Sequence, residues 1–350
     1  MKIGIPLNYA GGFDQTVEEL QEYEDVGLDI VMMPEAYSFD SVSQLGFLAA
    51  KTHSVLLSSN ILNIYSRTPT LLAMTAAGLD YVSGGRFVLG LGASGPQVVE
   101  GFHGVAYDKP LARTREVLEV CRQVWRREKV DFHGEHVDIP LTPERGGTGL
   151  GKPLKLINHP VRSSIPVFLA ALGPRNVSLA AELFEGWQPV FFYPELARDA
   201  FGASLDDGLA ERSNDLPELE VTADTRVLIT EDPDELERGM AELRAHVALY
   251  VGGMGARGKN FYHQLAVRYG FGEAADRVQD LYLSGRKDEA AAALPEELVK
   301  GVCLVGTPDE VAERVVAFAA AGVTTLNAQP IAGTHEHRVK DVAALKEFAG

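Results

Sequence analysis

Cysteine, tryptophan and positive charge are all scarce in this chain. Among 350 residues there are two Cys and two Trp. Cys121 and Cys303 lie in apolar patterns with no partner at metal-ligand spacing, so they read as packed core thiols. Lys and Arg number 32 against 49 Asp and Glu, a formal net charge of -17. That balance excludes the basic face that nucleic-acid binding requires and opposes docking on anionic lipid. No apolar run reaches membrane-spanning length, and the opening MKIGIPL enters a strand pattern without a signal peptide. The expectation is a soluble, cytoplasmic protein with no membrane partner. GxSxG, Walker A and HExxH motifs are missing, which removes the commonest hydrolase and nucleotide-hydrolysis readings. The pairs His133/His136 and His335/His337 lack a third ligand nearby, so no metal is expected.

What the chain does have is a regular alternation of strand-like and helix-like patterns, with 46% hydrophobic residues to fill a core. Strands are predicted at 3–7, 29–33, 55–59, 86–90, 166–170, 186–190, 220–229 and 324–328. Helices are predicted at 14–26 (with Asp14 as possible N-cap), 41–51, 68–82, 111–127 and 174–184. A hairpin is expected at 130–139, then a loop to 164 rich in Gly, Pro and Thr. From 236 to 300 helix patterns follow one another without a strand. The second part, about 250–300, reads as a helical insertion able to cover a cleft. Residues 301–305 look like an apolar linker. Thr307 and Glu310 form a capping box opening the helix 311–321, and a last helix covers 339–348. Eight strands with helices between them predict an α/β fold of the TIM (β/α)8 barrel type with insertions, one domain over 1–350.

The most informative stretch is 55–96, strand–loop–helix–strand–glycine loop, because two successive parallel strands end in polar or Gly-rich segments. Ligands gather at such carboxyl ends. Gly90, Gly92 and Gly95 match GxGxxG, but the motif follows a fourth strand and no acid ends the next one, so a dinucleotide fold is a poor fit. Gly92, Ala93, Ser94 and Gly95 are better read as a loop whose backbone passes close to a flat ligand. Ala171, Leu172, Gly173, Pro174 and Arg175 join a strand to a helix, and Pro174 at the first turn leaves amides suited to a phosphate; an ordinary turn is the alternative. Glu35 ends the second strand, where a carboxylate faces the active end of a barrel. Asn60 and Asn63 flank Ile61 and Leu62 at the end of the third. The segment YVGGMGARGKNFY (250–262) is either a mobile lid or a Gly-rich link.

Taken in order, ILNIYSRTP (61–69), SGGRFVLGLGAS (83–94), AALGP (170–174), EGWQP (185–189) and VGTPDE (305–310) resemble the bacterial luciferase-like family across nearly the whole chain. The stretch 249–293 is most similar to the branch using coenzyme F420, which includes methylenetetrahydromethanopterin reductase. The resemblance implies a luciferase-like barrel that moves a hydride between a deazaflavin and a small organic substrate. It further implies a non-prolyl cis peptide at Asn60–Ile61 behind the ring, residues 92–95 along the cofactor, 171–175 on its phosphate, and Glu35 near the ring as a catalytic residue that hydrogen-bonds it or relays a proton. A homodimer is expected from the family alone. Relatives that oxidise glucose 6-phosphate carry His and Glu where this chain has Ala36 and Gly95, so that substrate is not expected. Phe191, Tyr193, Tyr262 and His263 are pocket candidates, His263 or Tyr262 as proton donor. FMN with monooxygenase chemistry is the alternative cofactor, a non-catalytic flavin-binding or partner-binding barrel a third reading, and a nicotinamide enzyme a fourth.

Overall fold

Short, wholly apolar runs separated by amphipathic helices leave parallel pairing with crossovers as the way to satisfy the strand backbones. The computed structural model, which describes residues 1–8 and 12–350, has that arrangement. Its barrel strands are β1 (Lys2–Pro6), β2 (Ile30–Met33), β3 (Leu56–Ser59), β4 (Phe87–Gly92), β5 (Val167–Ala170), β6 (Gly186–Gln188), β7 (Glu220–Ile229) and β8 (Thr325–Pro330). The fold is the closed, parallel (β/α)8 barrel.

The chain divides into two compact units. One comprises residues 6–21 and 30–170. In it β2 pairs β3 at Ile30↔Leu56, β3 pairs β4 at Leu57↔Phe87, and β4 pairs β5 at Leu89↔Val167, all parallel. Every residue of β2 and β4 is buried, as expected of parallel strands covered on both faces. The other unit comprises 1–5, 22–29 and 171–350. In it β6 pairs β7 at Trp187↔Val221, β7 pairs β8 at Asp224↔Asn327, and β8 pairs β1 at Gly4↔Asn327.

Local rules account for many boundaries. Asp40 caps the helix Ser41–Lys51 by accepting from the Val42 and Ser43 amides. Thr68 caps Pro69–Val82, with Pro69 in the first turn. The expected capping box at Thr307 and Glu310 is formed. The hairpin is present as Phe132–His133 paired antiparallel with Asp138–Ile139. Both cysteines are buried, and burial raises each thiol to about 12, so neither is a reactive thiolate. No helix among the described residues is long and apolar enough to cross a membrane.

Several expectations are corrected. Asp14 is no N-cap: it lies inside the helix Phe13–Asp25, in its first turn, where its charge complements the helix dipole. Residues 301–305 are no linker. The helix Glu296–Val302 runs into a short strand, Leu304–Gly306, paired with Val227–Ile229 of β7. The cause is length: β7 has 10 residues and β6 has 3, so the β7 overhang needs another partner for its backbone groups. The last helix starts at His335, not 339, because Thr334 accepts a hydrogen bond from the His337 amide and caps it there. A helix unforeseen in the sequence, Pro194–Glu211, follows β6; its interrupted apolar face hides the period.

The C-terminal helix carries a buried carboxylate. Asp341 is 1% exposed; its Oδ1 accepts from the Ile229 amide at 3.3 Å, and its Oδ2 has no partner. His337 lies 3.5 Å from Asp341 and 3.2 Å from Glu235. Burial raises the Asp341 carboxyl from 3.8 to about 7, with Glu235 adding to the rise while His337 and the Ile229 amide oppose it. The folded state therefore holds a proton that the unfolded chain releases between 3.8 and about 7, so this group's contribution falls as pH rises through that window. Asp341→Asn is expected to gain in Tm over wild type progressively as pH rises from 3.8 to about 7, followed by calorimetry. A Tm difference independent of pH would sink this assignment.

Candidate active site

In the first unit, the loops after β3 and β4 are built from one another. Ser59 Oγ donates to the Gly90 carbonyl at 2.9 Å and accepts from the Gly90 amide at 3.0 Å, locking the two strands. The Asn60 amide donates to the Met33 carbonyl at 2.9 Å, and the Asn60–Ile61 peptide is cis, at the position the resemblance implied. The chain then resumes pairing with β4 at Leu62↔Leu91 and Asn63↔Gly92. Gly92 is forced by this approach: a Cβ there would lie 2.9 Å from the Ile61 side chain. Ser94 has φ of 56°, turning the chain out of β4 towards Gly95, the N-cap of Pro96–Val99. Residues 92–95 thus present a nearly side-chain-free ridge next to Ile61. Asn63 is buried; its Oδ1 accepts from the Tyr65 amide at 2.8 Å, leaving Nδ2 without a protein partner. An acceptor on a bound planar group would suit that donor.

Glu35 follows β2, and the structure gives it partners that the local sequence did not announce. Arg67 Nη1 and Nη2 donate to its two oxygens at 2.6 and 2.9 Å, and the Ser41 amide and hydroxyl donate at 2.9 and 3.2 Å. The side chains of Arg67 and Glu35 are only 14% and 10% exposed. Burial alone would raise the Glu35 carboxyl, but the Arg67 and Ser41 hydrogen bonds and the Arg67 charge outweigh it and hold it below its ordinary value. At neutral pH Glu35 is an ionised acceptor that fixes both the helix at Ser41 and the Arg67 loop. The signal for Arg67 was its place in the ILNIYSRTP motif; no rule of spacing links it to Glu35.

In the second unit, the loop after β5 has its carbonyls turned into the protein. Trp187 Nε1 donates to the Ala171 carbonyl at 2.9 Å and Arg268 Nη2 to that of Leu172 at 2.8 Å. The Gly173 carbonyl accepts from the amides of Asn176 and Val177 at 2.9 and 3.0 Å. Gly173 is the N-cap of Pro174–Leu183, no side chain caps that terminus, and Pro174 and Arg175 are exposed. First-turn amides, the positive end of the helix dipole and Arg175 make this a place for an anion.

The pocket candidates separate into different surroundings. Phe191, with φ of 53°, meets Tyr250 at 5.3 Å and Tyr262 at 6.0 Å between ring centroids. His246 joins them, 4.9 Å from Tyr250, and burial lowers it to about 3, so this aromatic cluster is uncharged. Tyr193 instead packs on Tyr269 and Phe271. His263 shares the helix Phe261–Arg268 with Tyr262, but its Nε2 is 2.9 Å from Asp276 on the next helix, Gly272–Leu283.

In the first unit, the ridge of small residues and the orphaned buried donor at Asn63 suit a planar flavin-like ring; in the second, the helix terminus without a side-chain cap suits a phosphate. Comparison with known proteins agrees with that chemistry. The chain is 44% identical over 352 residues to a Mycobacterium tuberculosis protein provisionally named a coenzyme F420-dependent oxidoreductase, covering 99% of both chains. It is 30% identical over 335 residues to the 5,10-methylenetetrahydromethanopterin reductase of Archaeoglobus fulgidus, covering 92% of this chain and 91% of that one. The solved coenzyme F420-dependent tetrahydromethanopterin reductase of Methanopyrus kandleri shares the fold, with a TM-score of 0.81 at 23% identity over 98% of this chain and 97% of that one. A family model described as luciferase-like monooxygenase matches residues 2–325, and the chain belongs to that family.

Proposed function

We propose that this protein is an oxidoreductase that uses coenzyme F420 to move a hydride to or from a small organic substrate, acting as a cytoplasmic homodimer with the whole chain as one catalytic domain. The observation that carries F420 over FMN is the 44% identity, across 99% of the chain, to a protein named for F420. When bound, the deazaflavin supplies hydride transfer at its ring carbon; the protein's task is binding, orientation and proton management. Asn60, Ile61, Gly92, Ala93, Ser94 and Gly95 lie against the ring, the small residues allowing close approach. The amides of Leu172 and Gly173, the terminus at Pro174 and the Arg175 side chain take the phosphate, with the Ala171 carbonyl held back by Trp187. Glu35 keeps Arg67 and its loop in place as a fixed ionised acceptor. On the helix Phe261–Arg268, Tyr262 and His263 are the two candidate proton donors, His263 oriented by Asp276. The uncharged cluster of Phe191, His246, Tyr250 and Tyr262 favours an apolar substrate portion. A second copy has an apolar face to meet on the helix Pro69–Val82, where Leu71, Met74, Tyr81 and Val82 are exposed.

Titrating the protein with F420, FMN and NADPH by fluorescence is expected to give saturable binding of F420 alone at comparable concentrations. Tighter binding of FMN, with oxygen uptake when it is supplied reduced, would instead make the protein a monooxygenase. Binding of F420 without turnover across a broad screen of alcohols, imines and alkenes would point to a non-catalytic carrier.

A further inference from the structure

The helix Phe261–Arg268 touches the loop 171–175 at both of its ends. At its start, the Phe261 ring lies over Gly173: a Cβ added there would be 3.8 Å from it. At its end, the Arg268 guanidinium donates to the Leu172 carbonyl at 2.8 Å and to the Ala200 carbonyl, on the helix Pro194–Glu211, at 3.3 Å. The same guanidinium lies over the Phe201 ring, 5.1 Å from its centroid. Its Nε is buried and has no partner. The planar fork is therefore clamped between an aromatic face and two carbonyls from separate segments, an arrangement that a lysine ammonium cannot reproduce. A partly buried cation is costly unless hydrogen bonds satisfy it, and here two carbonyls do so while Nε is left without a partner.

We infer that Arg268 is a positioning residue for phosphate binding: it pulls the Leu172 carbonyl back so that the loop's amides face the ligand, and it adds a positive charge behind them. Through it, the helical segment 249–302 becomes part of the anion site. This rests on the reading of 171–175 as the phosphate loop, and the test separates the two.

Dissociation constants are measured by fluorescence for F420 and for its phosphate-free chromophore, in wild type, Arg268→Met, Arg268→Lys and Arg314→Met. Arg314 is the control: it also lies over an aromatic ring, Phe318 at 5.6 Å, and donates to a carbonyl, that of Gly301 at 2.6 Å, as well as to Glu195, and its hydrogen bonds go to none of 171–175. Wild type is expected to prefer F420 to the phosphate-free chromophore. Arg268→Met is expected to lose about tenfold in F420 affinity and nothing for the chromophore, the size of one lost hydrogen bond to a charged group. Arg268→Lys should fall between, and Arg314→Met should match wild type. Equal binding of both ligands by wild type overturns the phosphate-loop reading itself. A wild-type preference that survives intact in Arg268→Met overturns only the role of Arg268, as does an equal loss for both ligands or the same loss in Arg314→Met. If Arg268→Met does not fold, Arg268→Lys decides: a partial loss confined to F420 supports the inference, and no loss or a uniform one overturns it.

Discussion

Replacing Arg67 with Met is expected to destabilise the protein by about 3 kcal/mol at neutral pH, the low end for breaking a buried ion pair. The Glu35 carboxylate would keep its two bonds from Ser41 but lose both guanidinium donors and the balancing charge, with only 10% of its side chain open to water. Removing both charges, as Glu35→Gln with Arg67→Met, should recover most of the loss, because no uncompensated ion remains. The pH dependence carries a sign. In wild type the folded pKa of Glu35 lies below its ordinary 4.5, so its contribution is complete above that value and is lost as pH falls through the folded pKa. Arg67→Met lacks that contribution, and its carboxylate is relieved by protonation. The stability gap between the two proteins should therefore narrow in acid. Urea denaturation across the pH range measures it, and a gap that stays constant into acid would show that Arg67 acts through packing instead.

Gly208→Val should cost about 3 kcal/mol, a large overpacking penalty. Gly208 sits in the helix Pro194–Glu211 where it crosses Pro174–Leu183, and a Cβ there would lie 2.2 Å from the Ser178 carbonyl oxygen and 2.7 Å from Ala181 Cβ. The obstacle is helix backbone, which cannot swing aside as a side-chain tip can, so one helix must move. Pro174–Leu183, whose N-cap is Gly173, is one of the two helices at this crossing, so F420 affinity should fall along with stability. Gly46→Ala is the opposite case: nothing lies within 4 Å of its Cβ position in the helix Ser41–Lys51, and it should stabilise by about 0.8 kcal/mol from helix propensity alone. Equal Tm values for Gly208→Val and wild type would mean that the helix crossing is looser than these distances require.

The amino-acid order by itself was enough for the barrel class, the eight strands and the capping box at Thr307 and Glu310, because each depends on residues within a few positions; Thr68, read as the first residue of its helix, is in fact its cap. An apolar run of four to six is a strand when helices flank it, and a hydroxyl before a proline and an acid starts a helix. It also marked the small residues at 92–95 and the turn at 171–175, since only certain residue types permit a close approach or an open helix terminus. What it left open was every partner that arrives from far along the chain: Arg67 for Glu35, 32 positions away; Arg268 for Leu172, 96 away; and the strand Leu304–Gly306 on the overhang of β7. Such meetings are decided by where the chain returns after each crossover and by which buried polar group still lacks a partner there. Spacing along the sequence carries no trace of that, so only the tertiary structure could turn a lone arginine on an apolar helix into the support of an anion loop.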